Sequence, residues 1–178
     1  MEWRKLKLEE LNRMEVEDFK SAEKIPVTVV LDDIRSALNV GSIFRTADAF
    51  RIEKIFLCGI TATPPHKEIL KTAIGATDSV DWTYEKEIES VLSGLQSEGY
   101  VIYGVEQTEN STSLDALSIP QQKIAVILGN EVGGVSDKAL AFADGTIEIP
   151  QFGTKHSLNV AVCTGIVLWE LQKVFPKP

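Results

Sequence analysis

From Val27 onward, short β-branched apolar runs alternate with stretches of helical periodicity, and that order is the strongest constraint on the fold. The runs Val27–Asp32, Lys54–Cys58, Tyr100–Val105, Lys123–Leu128 and Thr146–Ile149 read as strands, with a weaker one near Ser79–Trp82. Between them Val40–Phe50, Lys86–Ser97, Asp137–Phe142 and Ser157–Val174 read as helices. Near-continuous apolar strands separated by helices predict an α/β chain: a mainly parallel sheet with helices on both faces. At 178 residues and 44% hydrophobic, the chain is long enough to build one such core. Residues 1–24 carry Leu6, Leu8, Leu11, Met14 and Phe19 among many charges, which predicts an N-terminal helical extension ahead of a single domain over 25–178. The first half of the last helix is apolar on more than one face, so it is either deeply buried or packed on a second subunit.

Composition removes several function classes. A net charge of −8 argues against holding nucleic acid by a general positive field, so any RNA contact is local and salt-sensitive, drawn from Arg4, Lys5, Lys7, Arg35, Arg45, Arg51, Lys54, Lys67, Lys71 and Lys155. Two cysteines, Cys58 in an apolar strand and Cys163 in an apolar helix, fit inert core thiols in a reducing compartment. The N-terminus is too charged for a signal peptide and no apolar run is long enough to cross a bilayer, so a cytoplasmic protein with no membrane partner is expected. His66 and His156 have no ligand pairs at metal-site spacing, and Ser157 lacks a triad, so neither a metal nor covalent hydrolysis is expected. No Gly-x-Gly-x-x-Gly follows a strand and no P-loop sequence occurs.

Chemistry-bearing residues gather after strands. Leu128-Gly-Asn-Glu-Val-Gly-Gly134 follows one apolar run, Ile149-Pro-Gln-Phe-Gly-Thr-Lys-His-Ser-Leu-Asn159 follows another, and Asn39-Val-Gly-Ser-Ile-Phe-Arg45 opens the helix after the first. In an open α/β sheet the crevice outside the carboxyl ends of the strands is where ligands bind, so the functional site is expected there. Each residue also has a plainer reading. The glycines can form a simple turn, Ser157 and Asn159 can cap the last helix, Glu131 can be a solvated loop carboxylate, and Arg45 can snorkel along its helix.

Asn39-x-Gly-x-Ile-x-Arg45, Leu128-Gly-Asn-Glu-x-Gly-Gly134 and Ile149-Pro-x-x-Gly-x-x-x-Ser157-Leu-Asn159 together resemble the three motifs of the SpoU (TrmH-like) RNA 2′-O-ribose methyltransferases of the SPOUT superfamily, in that family's order. The stretch Cys58–His66, followed by Lys71–Ala76, resembles the family's loop after the second strand. The resemblance spans roughly residues 25–175 and makes 25–178 a SpoU-type methyltransferase domain. It implies S-adenosylmethionine bound in a C-terminal trefoil knot, a site completed across a homodimer, and tRNA or rRNA as substrate. By the same resemblance, Arg45, Asn39, Glu131, Ser157 and Asn159 are the catalytic set. Val105, Leu128, Gly129, Asn130, Gly133, Ile149, Gly153 and Leu158 are the cofactor-binding set. A SPOUT methyltransferase of an RNA base and a non-catalytic dimeric RNA-binding module are the alternatives. A separate N-terminal substrate-binding domain or a long basic tail, as many relatives have, is not expected from these residues, so the sequence does not name the target RNA or nucleotide.

Methyl transfer from a sulfonium to a ribose hydroxyl needs alignment and the handling of one proton, with the reactive group supplied by the cofactor. Arginine is effectively never deprotonated, so Arg45 is expected to grip phosphate or stabilise charge developing on the 2′-oxygen. Proton removal is left open among phosphate, water and Glu131.

Overall fold

A computed structural model describes residues 3–118 and 121–175. The outer ends of the two expected segments, residues 1–2 and 176–178, lie outside the described residues. Among the described residues, seven strands form one sheet in the order β3-β2-β1-β6-β4-β7-β5: β1 Ile25–Asp32, β2 Ile52–Cys58, β3 Trp82–Glu85, β4 Val101–Val105, β5 Thr112–Ser113, β6 Ile124–Leu128 and β7 Gly145–Glu148. Every pairing is parallel. The helices are α1 Val16–Ser21, α2 Ala37–Ala49, α3 Lys67–Ala73, α4 Ala76–Ser79, α5 Ile88–Ser97, α6 Asp137–Leu140 and α7 Val160–Leu171.

Strand residues alternate faces, and at the centre both faces are apolar. Val27, Val29 and Leu31 of β1, with Ile124, Val126 and Leu128 of β6, join one core with α2, α3 and α7. Val30 of β1, with Ala125 and Ile127 of β6, joins a second core with α5 and α6. This is the physical reason the central strands read as unbroken apolar runs.

Several local expectations shift. Around residue 80, Ala76–Ser79 is helical and the strand begins at Trp82. Ser79 Oγ donates to the Ala76 carbonyl and to the Asp48 carboxylate, a local alternative to a ladder, while β3 takes its register from β2, with Trp82 opposite Ile55. Helix α3 is new relative to the sequence reading. It forms because Ile69 and Ala73, one turn apart, are buried, and the Thr72 hydroxyl donates to the Leu38 carbonyl of α2 at 2.9 Å. The last helix starts at Val160, three residues later than its apolar pattern suggests, because Asn159 takes the N-cap position. In the N-terminal extension, a 3-10 turn at Leu8–Leu11 precedes α1.

Strand β6 follows β4 and β5 in the chain, yet lies between β1 and β4 in the sheet. Its following loop is therefore flanked on one side by the end of β1 and on the other by the end of β4. That is the switch point where an α/β sheet opens a crevice.

Candidate active site

The loop after β6 is fixed from both flanks. On the β1 side the buried Asp32 carboxylate accepts the Ser136 N–H at 2.8 Å, and Asn130 Nδ2 donates to the Asp33 carbonyl at 2.6 Å. On the β4 side Glu106 Oε2 accepts the Val135 N–H at 3.0 Å. Inside the loop Asn130 and Gly134 exchange two backbone hydrogen bonds of 2.9 Å, and Asn130 Oδ1 accepts from the N–H groups of Val132 and Gly133 at 2.9 and 3.1 Å. The turn is so tight that a Cβ at Gly129 would overlap the backbone of Gly134 and Val135. Only glycine fits there.

Glu131, at the tip, reaches back to the start of α2. Its carboxylate accepts the N–H groups of Arg35 at 2.9 Å and Ser36 at 3.1 Å, and Asn39 Nδ2 at 3.0 Å. Asn39 Oδ1 in turn accepts Asn159 Nδ2 at 3.2 Å, while Asn159 Oδ1 caps α7 by accepting from Ala161 and Val162. One hydrogen-bonded chain thus links all three motifs across sequence separations of 92 and 120 residues.

Between the loops after β4, β6 and β7 lies a cavity of about 600 Å³. Val105, Leu128, Gly129, Asn130, Gly133, Ile149 and Leu158 line it, as do Glu131, Ser157 and Asn159. Gly153 stands apart: it is exposed, and no atom lies within 4 Å of where its Cβ would be. Asn39 and Arg45 are not cavity walls. Arg45 is exposed on α2 and makes no hydrogen bond or ion pair with any described residue.

The model of the SpoU rRNA methylase family matches residues 26–169, the span that contains this entire arrangement. The chain belongs to the SpoU rRNA methylase family. It is 32% identical over 158 residues to an uncharacterized tRNA/rRNA methyltransferase of Borreliella burgdorferi, covering 89% of this chain and 68% of the relative. It is 28% identical over 164 residues to a tRNA (guanosine(18)-2′-O)-methyltransferase of Thermus thermophilus, covering 92% and 83%. Among solved structures, an rRNA methyltransferase of Sinorhizobium meliloti bound to S-adenosylmethionine (AdoMet) superposes with a TM-score of 0.79 at 26% identity, covering 85% of this chain and 57% of that one.

The electrostatics of this SpoU site separate an ionised clamp from neutral walls. Partial burial pushes the Glu131 carboxyl up, but the hydrogen bonds from Arg35, its own backbone, Asn39 and Ser36 outweigh that and hold it below the ordinary carboxylate range. Cys163 is only partly buried and lines the cavity, unlike the core thiol expected from its sequence setting; burial, then the charge of Glu106, pushes it up to about 11. Cys58 is fully buried, and burial followed by Asp32 and Glu85 raises it to about 12.

The sequence reading did not single out Asp32, Asp33, Glu106 or Gln107. Gln107 Nε2 donates to the His156 carbonyl at 2.8 Å and so tethers the loop after β7. All four follow apolar strand residues at the carboxyl end of β1 or β4, and that position was the available signal. Among the described residues no group of three or more His, Cys, Asp or Glu side chains could hold a metal ion, and no helix is long and apolar enough to cross a membrane.

Proposed function

We propose that this protein transfers a methyl group from S-adenosylmethionine to the 2′-hydroxyl of a ribose in tRNA or rRNA, acting in the cytoplasm as a homodimer. The observation that carries the reading is the Glu131–Asn39–Asn159 chain, which holds the three motif segments beside a cavity of the right size. Ligand pockets typically span roughly 300–1,000 Å³ with mostly apolar walls and a few placed polar groups. This one offers Val105, Leu128, Ile149 and Leu158 as apolar walls and glycine backbone at Gly129 and Gly133. Residues 25–178 form the methyltransferase domain on this reading, its C-terminal third knotted, with 1–24 as an extension.

The cofactor supplies the electrophilic methyl group, so the chain has to hold, orient and shield. The loops after β6 and β7 hold the nucleoside part of the cofactor through main-chain groups and apolar contact. Asn159 and Ser157 sit where those walls meet the start of α7 and orient the acceptor. Arg45 has no partner among the described residues, which leaves its planar fork available for RNA phosphate or for charge on the 2′-oxygen. Glu131 is a positioning residue: a carboxylate occupied by three donors and held ionised is a poor base.

The homodimer is supported by α7. Val162, Ile166 and Trp169, at spacings of four and three, remain 54%, 38% and 54% exposed while the opposite face is buried, and Trp169 packs on Phe50 at 6.0 Å. A helix that shows apolar residues to both sheet and solvent is suited to a second copy. Sedimentation should give a dimer at micromolar protein, and a clean monomer contradicts the reading.

The deciding experiment incubates the protein with RNA transcripts and isotope-labelled S-adenosylmethionine, then identifies the labelled nucleosides by nuclease digestion and mass spectrometry. Label on 2′-O-methylnucleosides is expected. Label on a base, or absence of both transfer and calorimetric cofactor binding, overturns the assignment.

A further inference from the structure

A second cavity, of about 440 Å³, opens at the carboxyl ends of β2 and β3, lined by Ile60, Thr61, Ala62, Trp82 and Tyr84 among others. Among the described residues, none of its wall residues is charged. Two are conspicuously open for their chemistry: Ile60 is 66% exposed and Tyr84 43%. Trp82 is backed by Phe44, edge to face at 6.4 Å.

This cavity is built and does not depend on a loose loop. Asp33 Oδ1 accepts the Ile60 N–H at 2.8 Å, and the buried Thr61 hydroxyl accepts the Ile34 N–H at 2.9 Å. The Tyr84 hydroxyl reaches across from β3 to the Gly59 carbonyl at 3.0 Å. Gly59 has φ +62°, and a Cβ there would strike the Asp33 carboxylate, so the turn requires glycine. Asp33 also accepts Asn130 through its carbonyl, so a single residue anchors both this loop and the glycine loop of the cofactor cavity.

We propose that this cavity seats a nucleobase of the substrate RNA that flanks the methylated nucleotide, stacked against Tyr84 and Ile60. The inference rests on the RNA methyltransferase reading above. Strands in a sheet are about 4.8 Å apart, so the cavity stands on the order of 10–15 Å along the same sheet edge from the loop after β6. A short run of single-stranded RNA covers that span. An uncharged, aromatic-lined hollow suits a flat base and not a phosphate, and unstacked bases in single-stranded RNA are held in this way, on aromatic side chains. Lys67 and Lys71, exposed on the helix that follows, are placed to meet the adjoining backbone. The placement makes Tyr84 a residue for RNA affinity and context, remote from the methyl group.

The test measures anisotropy of a short fluorescein-labelled single-stranded RNA of mixed sequence, and of an abasic oligomer of the same length, on wild type, Tyr84→Ala and Tyr84→Phe. Base–aromatic stacking contributes enough that Tyr84→Ala should weaken the base-bearing RNA about tenfold. Binding of the abasic oligomer should be the same in wild type and Tyr84→Ala. Tyr84→Phe keeps the ring and loses only the hydroxyl contact to Gly59, so it should stay within about twofold of wild type. Equal affinity of wild type and Tyr84→Ala for the base-bearing RNA refutes the proposal. So does an equal loss on the abasic oligomer, or a Tyr84→Phe defect as large as that of alanine, which would mean that the tyrosine merely braces the loop. Calorimetric cofactor binding and methyl transfer by the wild type are read in parallel; their absence would refute the methyltransferase reading and leave the stacking comparison to stand or fall by anisotropy.

Discussion

Replacing Glu131 with glutamine tests whether the clamp, more than the loop sequence itself, organises the site. The carboxylate accepts three donors, two of them backbone N–H groups at the start of α2. A hydrogen bond to a charged group is worth ~1.5–3 kcal/mol away from water. Glu131 is exposed, so screening and re-solvation reduce this to about 0.5–1 kcal/mol per donor. Glutamine keeps one acceptor oxygen and turns an N–H toward N–H groups, for a net loss of about 1–2 kcal/mol. If only the docked glycine loop binds the cofactor, its Kd rises by at most the corresponding factor, roughly 5- to 30-fold. Calorimetry with S-adenosylmethionine on wild type, Glu131→Gln, Asn39→Ala and the double variant measures this directly. The expected coupling between Glu131 and Asn39 is about 0.5–1.5 kcal/mol. The carboxyl lies below its ordinary value in the folded chain, so its stabilisation is fully present above the free-carboxyl range and is lost as pH falls through the lowered value. Wild-type cofactor affinity should therefore be flat from neutral pH down to about 5 and fall only in stronger acid, with Glu131→Gln lacking that acid limb. Two results would refute the reasoning: additivity within about 0.5 kcal/mol, or unchanged cofactor affinity combined with a collapsed rate, which would make Glu131 the base.

The geometry and the raised thiols set four further expected outcomes. Arg45→Ala should lower turnover by about two to three decades with cofactor affinity unchanged, and Arg45→Lys should rescue little because it loses the planar fork; single-turnover kinetics with calorimetry checks both. Gly129→Ala places a Cβ into the Gly134–Val135 backbone, which cannot move aside, and should destabilise the fold by about 3 kcal/mol or abolish cofactor binding, read by denaturant unfolding and calorimetry. Cys163, raised to about 11, stays a thiol at neutral pH, so iodoacetamide should modify it far more slowly than a free cysteine. Thiols raised on folding also cost stability as pH climbs from the free value toward the folded one, so unfolding midpoints should decline above about pH 9.

Much of this protein was determined locally. The runs at Val27, Lys54, Tyr100, Lys123 and Thr146 became strands because β-branched apolar residues favour a pleated, buried surface over any helical alternative. The parallel, two-faced sheet follows from those runs being apolar on both faces. The loop positions were equally legible, since strand ends and helix starts are marked by glycine, asparagine and serine. Where local preferences were weak, the reading slipped: Ser79 went to a helical turn, and α3 was missed because only its burial against α2 makes a helix of seven residues worthwhile.

The tertiary structure alone decided the order of the strands. Any of these apolar runs could pair with any other as far as composition goes, and nothing within the sequence around Ile124 says that β6 enters between β1 and β4. That insertion is what flanks the glycine loop with Asp32, Asp33 and Glu106, and what brings Glu131 to Arg35 and Asn39 to Asn159. Residue type fixed what each side chain could do, since acceptor, donor and planar cation are properties of the residue. Which of them meet is a property of chain closure over 92 to 120 residues, set by packing the whole sheet at once.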